Sequence, residues 1–117
     1  KTEEKKFNVT ANTGNSSFNK INFGTDWLKV RSKQYNTSEE GYVSSVQKVN
    51  VIKLDDYCKD NNISVIDLVK IDTQGSELEI LENGVNTLKN VVIIETEVEF
   101  IPIYKNNIFF IHRCCIP

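Results

Sequence analysis

The chain has no methionine, two prolines, one tryptophan, one histidine and three cysteines in 117 residues. Each shortage narrows the reading. A native chain normally starts with methionine, so Lys1 is read as an internal position and the chain as a fragment of a longer polypeptide. Cys58, Cys114 and Cys115 are odd in number and show no C-x-x-C or Cys/His ligand spacing. That excludes a disulfide framework and leaves free thiols in a reducing cytoplasmic setting as the expectation. His112 near Cys114 does not make a zinc site, which takes about four ligands. No apolar run approaches the roughly 18 residues of a membrane span. The charged residues 1–6 lead into too short an apolar stretch for a signal peptide. Neither sign of charge dominates, with 14 basic against 16 acidic side chains and a net charge of −2. Nucleic acid and anionic membrane surfaces are therefore not expected partners.

What is present is the composition of a globular domain, 39% hydrophobic and 26% charged. The length suits a single domain over 1–117, since a domain takes roughly 100–200 residues. Residues 1–6 read as a solvated charge run, followed by a short strand over 7–10 with Phe7 and Val9 on one face. Asn12-Thr13-Gly14-Asn15-Ser16-Ser17 reads as a loop. Its single glycine, with no apolar helix after it, argues against a phosphate cradle. Residues 18–23 alternate apolar and polar, and Trp27 is assigned to the core. Residues 31–41 are polar, and Ser38-Glu39-Glu40-Gly41 reads as an exposed loop. Residues 46–54 read as a strand with a bulge at Val51-Ile52. Asp55 is placed as the N-cap of a short helix ending near Asn61-Asn62.

Residues 63–71 are rich in β-branched and apolar side chains, a pattern that suits a parallel strand covered on both faces. Asp72 follows, then Gly75 for backbone freedom in a turn. Ser76-Glu77-Leu78-Glu79 carries a serine three positions before a glutamate, the capping-box pattern. Glu77, in the first turn, complements the helix dipole. Leu78, Leu81, Val85 and Leu88 form one apolar stripe, which Gly84 ends or kinks. Residues 91–94 predict the next buried strand. Strand, helix and strand in this order make a parallel, right-handed crossover. In such sheets ligands bind at the carboxyl ends of the strands. Asp72 is thereby the candidate catalytic carboxylate, and Glu95, ending the neighbouring strand, is the second. Glu97 lies two residues on and shares the face of Glu95 if the strand continues. Two acids define no coordination geometry, so no metal is assigned.

These residues resemble one family closely. Leu54-Asp55-Asp56-Tyr57, then Ile66-Asp67-Leu68-Val69-Lys70-Ile71-Asp72-Thr73-Gln74-Gly75-Ser76-Glu77-Leu78-Glu79-Ile80-Leu81, then Val92-Ile93-Ile94-Glu95-Thr96-Glu97-Val98-Glu99-Phe100 and Pro102-Ile103-Tyr104-Lys105 are similar, in order and spacing, to the FkbM methyltransferases. The likeness is best over 46–105. It implies an α/β fold, part of a Rossmann-like class I methyltransferase sheet, mostly parallel, with helices on both faces. It implies S-adenosyl-L-methionine as cofactor and O-methylation of a hydroxyl on a sugar or secondary metabolite, hence a small-molecule or glycan acceptor. Residues 68–72 would then be the fourth strand and 91–95 the fifth. The first three strands, the glycine-rich turn and the ribose-binding acid would lie before Lys1. The main cofactor-binding motif is thus absent here, and the isolated chain is expected to be inactive. The alternative is a non-catalytic α/β remnant or interaction module without cofactor binding. No oligomeric state is assigned.

Overall fold

The computed structural model describes residues 2–105. Cys114, Cys115, His112 and the rest of the carboxyl-terminal tail lie outside the described residues. Two strands open the architecture: β1 (Thr2–Thr10) and β2 (Val43–Ile52) pair antiparallel, in register from Thr2 opposite Ile52 to Thr10 opposite Val43. The strand therefore runs through the charge run that the sequence left in solvent. Pairing accounts for this, because charged side chains on an exposed face cost a strand little when they find partners. Glu4 pairs with Lys48 across the strands at 3.0 Å, and Lys5 pairs with Glu79. The register shift falls between Val9 and Thr10, not at Val51-Ile52 as expected.

Between these strands lies α1 (Asp26–Gln34), in a stretch to which the sequence reading assigned no helix. The Thr25 hydroxyl caps it by accepting from Leu28 N at 3.3 Å. Asn36, at φ 53°, turns the chain out of its carboxyl end. Leu28 and Ser32, four residues apart, form its buried edge. Leu28 joins Ile21, Tyr42 and Tyr104 in the core, with Trp27, Val43 and Ile103 packed against it. Each large side chain so buried contributes about 1.5–3 kcal/mol. The Trp27 and Tyr35 rings meet Tyr42 edge-on, at 5.9 and 6.3 Å between centroids.

Three short helices follow β2: α2 (Leu54–Asp60), α3 (Glu77–Glu82) and α4 (Val85–Leu88). The expected single apolar helix is broken at Asn83-Gly84, and Val85 is exposed. A Cβ at Gly84 would stand 2.8 Å from Leu54 Cδ2, 3.1 Å from the Ile80 carbonyl oxygen and 3.2 Å from Leu88 Cδ1. The break thus lets α4 pack against the start of α2. Asp55 does not cap its own helix, whose N-cap is Lys53. Its carboxylate accepts from Asn86 N at 3.1 Å and Thr87 N at 2.7 Å, the free amides at the start of α4. Those bonds, that from Thr87 foremost, hold its pKa down to about 2.

The second sheet is β3 (Leu68–Ile71) and β4 (Ile93–Thr96), paired parallel from Leu68 opposite Ile93 to Ile71 opposite Thr96. The described fold is thus α/β with one antiparallel and one parallel pair, and it is not mostly parallel. The expectation that both parallel strands are covered on their two faces is also corrected. Leu68, Val92, Ile93 and Ile94 are exposed, and only Ile71 is buried. The core gathered by Tyr42 and Tyr104 takes in Val43 of β2 and no residue of the parallel pair.

Candidate active site

The carboxyl ends of β3 and β4 carry four charged side chains at adjacent register positions. Lys70 stands opposite Glu95, and Lys70 Nζ donates to Glu95 Oε1 at 2.8 Å. The Glu95 carboxylate, with Asp72 and Glu97 behind it, holds the Lys70 ammonium above its usual range. One rung further on, Glu97 N donates to the Ile71 carbonyl at 3.3 Å, which carries the parallel pairing past β4. This places Glu97 beside Asp72. The two carboxylates meet on one amide: Gln74 Nε2 donates to Asp72 Oδ1 at 3.0 Å and to Glu97 Oε2 at 3.1 Å. The structure therefore groups Asp72 with Glu97 through Gln74, while Glu95 is engaged by Lys70.

Gln74 was not singled out by the sequence. Its placement depends on a turn in which Gln74 and Gly75 both take positive φ, 53° and 99°. Nothing local marks a glutamine for that conformation, which non-glycine residues seldom adopt. Contacts from elsewhere hold the turn. Ser17 Oγ donates to the Gln74 carbonyl at 2.5 Å, and Asn19 Nδ2 donates to the Gly75 carbonyl at 2.7 Å. The asparagine-rich loop that carries these groups is itself fixed by two core phenols. Tyr104 donates to the Asn15 carbonyl at 2.8 Å, and Tyr42 donates to Asn15 Oδ1 at 3.0 Å. Burial, reinforced by the Glu99 charge, pushes the Tyr104 phenol well above its ordinary pKa, so it serves as a donor throughout the usual pH range. The loop is thus a buttress for the turn after β3.

Ser76 occupies the N-cap position of α3, but its hydroxyl makes no capping bond. The carboxylate that works here is Glu77. It accepts from Thr73 N at 3.0 Å, from Thr73 Oγ1 at 3.2 Å and from Gly75 N at 2.9 Å. A side chain two residues along the turn reaches these amides better than a hydroxyl held at φ −105°. The amides of Thr73 and Gly75 are therefore satisfied from within the turn. The site sets the Asp72 and Glu97 carboxylates beside the Lys70 ammonium and the Gln74 amide, and its carboxylates can accept from a hydroxyl. Among the described residues no three His, Cys, Asp or Glu side chains are grouped to hold a metal ion, and none of the helices is long and apolar enough to cross a membrane.

Beside the same turn lies a cleft of about 620 Å³, lined by Phe18, Val51, Leu54, Tyr57 and Ile80 and reaching Thr73 and Ser76. The Lys5–Glu79 pair stands on its wall. Phe18 is set there by an edge contact with Phe7 of β1, at 5.0 Å between ring centroids.

No curated protein and no solved structure matches the chain. A family model described as the methyltransferase FkbM domain matches residues 2–113, which takes in the antiparallel pair, the buttress loop and both parallel strands. On that match the chain belongs to the FkbM methyltransferase domain family.

Proposed function

We propose that the chain is the acceptor-side part of an S-adenosyl-L-methionine-dependent O-methyltransferase acting on a hydroxyl of a sugar or secondary metabolite. The observation that carries this reading is the pair of carboxylates, Asp72 and Glu97, at the ends of adjacent parallel strands in a chain of this family. When bound, the cofactor supplies an electrophilic methyl group on a cationic sulfur. The chain's own residues do the rest. Asp72, exposed and with one oxygen on Gln74, takes the proton from the acceptor hydroxyl. Glu97 orients the acceptor beside it. Glu95 stands one rung back and anchors Lys70, which offsets the negative charge of the other two acids. The cleft next to the turn has the size of a small-molecule site, which supports a small-molecule or glycan acceptor.

The cofactor's adenosine finds no glycine-rich turn after a strand in this sequence; the turn at 73–76 has one glycine, and Glu77 fills it. The isolated 117 residues are therefore expected to bind S-adenosyl-L-methionine weakly or not at all, and calorimetry showing micromolar binding would contradict this. The same filled turn favours a second reading, a non-catalytic α/β module. Incubating the gene product that carries this chain with methyl-labelled S-adenosyl-L-methionine and a panel of polyhydroxylated acceptors separates the two. Label in an acceptor supports the enzyme; a protein that neither binds the cofactor nor labels any acceptor supports the module.

A further inference from the structure

We infer that Gln74 is a positioning residue, holding the Asp72 and Glu97 carboxylates as one fixed pair across the ends of the two parallel strands. Three observations converge on it. Both amide hydrogens are committed, one to each acid, from a single nitrogen 3.0 and 3.1 Å away. The two carboxylate oxygens are thus no farther apart than those lengths combined. Like charges that close repel, and without a shared donor each side chain would swing toward water. The orientation of the amide is also determined by its surroundings. The reverse orientation would set the amide oxygen against two carboxylates. Finally, Gln74 holds φ 53°, a conformation in which glycine would be unstrained and glutamine is not. Strain kept at a site, where a smaller residue would relieve it, points to a task for the side chain.

The role deepens the methyltransferase reading, since it presupposes that Asp72 takes the acceptor proton. Gln74 would not touch the reacting atoms. By occupying one oxygen of each acid, it would aim the other at the acceptor. Displacement of a positioned group by about 1 Å costs about 100-fold in rate.

Gln74→Gly is the informative variant, because it removes the amide while relaxing the backbone. In the nitrogen-15-labelled gene product, the Gln74 side-chain amide signal is identified by its absence from Gln74→Gly. That signal is expected to move in both Asp72→Asn and Glu97→Gln; a signal unmoved in both would overturn the clip whatever the activity. In methyl transfer by the gene product, Gln74→Gly is expected to lower kcat by about 100-fold with the acceptor KM changed far less. The double variant Asp72→Asn/Gln74→Gly is expected to be no slower than Asp72→Asn alone, because one residue acts through the other. Wild-type turnover in Gln74→Gly, or losses that multiply in the double variant, would overturn the role. A wild-type protein that labels no acceptor would overturn the methyltransferase reading instead, and the amide signal would still decide the clip.

Discussion

Gly84→Ala tests whether the α3–α4 break is packed as described. Two effects oppose each other. Gly84 sits at φ −122°, which alanine adopts freely, so lost chain entropy in the unfolded state would stabilise the variant by about 0.4–1 kcal/mol. Against this, the added methyl would stand 2.8 Å from Leu54 Cδ2 and 3.1 Å from the Ile80 carbonyl oxygen. Neither obstacle yields freely: the half-buried Leu54 must leave its packed rotamer, and the carbonyl belongs to the last turn of α3 and cannot yield without moving the helix. Overpacking of this kind costs about 1–3 kcal/mol, so at mid-range values the steric effect wins by about 1 kcal/mol. Urea denaturation reads it as a lower midpoint at unchanged slope, and thermal denaturation as a fall of roughly 4–8 °C per kcal/mol. In a Leu54→Ala background the nearest obstacle is gone, and the Gly84→Ala cost is expected to shrink by at least about 0.5 kcal/mol, the size of coupling between touching residues. A neutral or stabilising Gly84→Ala, or one equally costly in both backgrounds, would refute the packing.

Tyr104→Phe removes the donor to the Asn15 carbonyl in the core. Leaving that acceptor unpaired is expected to cost about 1–3 kcal/mol, read by urea denaturation, and Tyr42→Phe is the comparison that keeps the Asn15 backbone bond. For Asp55, the folded pKa of about 2 lies below its ordinary 3.8. The unfolded chain therefore takes up this proton first, so the stability Asp55 contributes is present above pH 3.8 and is lost as pH falls through about 2. The slope of melting temperature against pH in that window is expected to flatten in Asp55→Asn; an identical slope would remove Asp55 from the cap of α4.

Much of this arrangement was legible where local chemistry is decisive. The β-branched run ending at Asp72 and the apolar stretch ending at Glu95 mark parallel strands, and Leu68–Ile71 does pair with Ile93–Thr96. The short helix ending at Asn61-Asn62 is equally local, since Asn62 adopts the left-handed turn at φ 55°. What escaped the sequence depends on distant partners. The strand through Thr2–Lys6 is stabilised by β2 and by Lys48 and Glu79, some 40 to 70 residues away. Helix α1 has a weak apolar stripe and is placed by Leu28 entering a core that Tyr104 completes. At the site, spacing along β4 favoured Glu95, but the register sets Glu95 against Lys70 and brings Glu97 to Asp72. Ser76 and Glu79 have capping-box spacing, yet the Glu77 side chain reaches the turn amides first. Burial of the parallel pair was overestimated because apolar composition reports what a strand can bury, not which neighbours cover it.

The most direct test of the central claim compares the gene product carrying this chain with its Asp72→Asn variant in transfer of labelled methyl to a hydroxylated acceptor. Asparagine keeps the shape of the side chain and cannot take the proton. If Asp72 is the proton acceptor, turnover falls by about 100-fold or more while the melting temperature stays within a degree or two of wild type. Equal turnover in the two proteins would contradict the assignment.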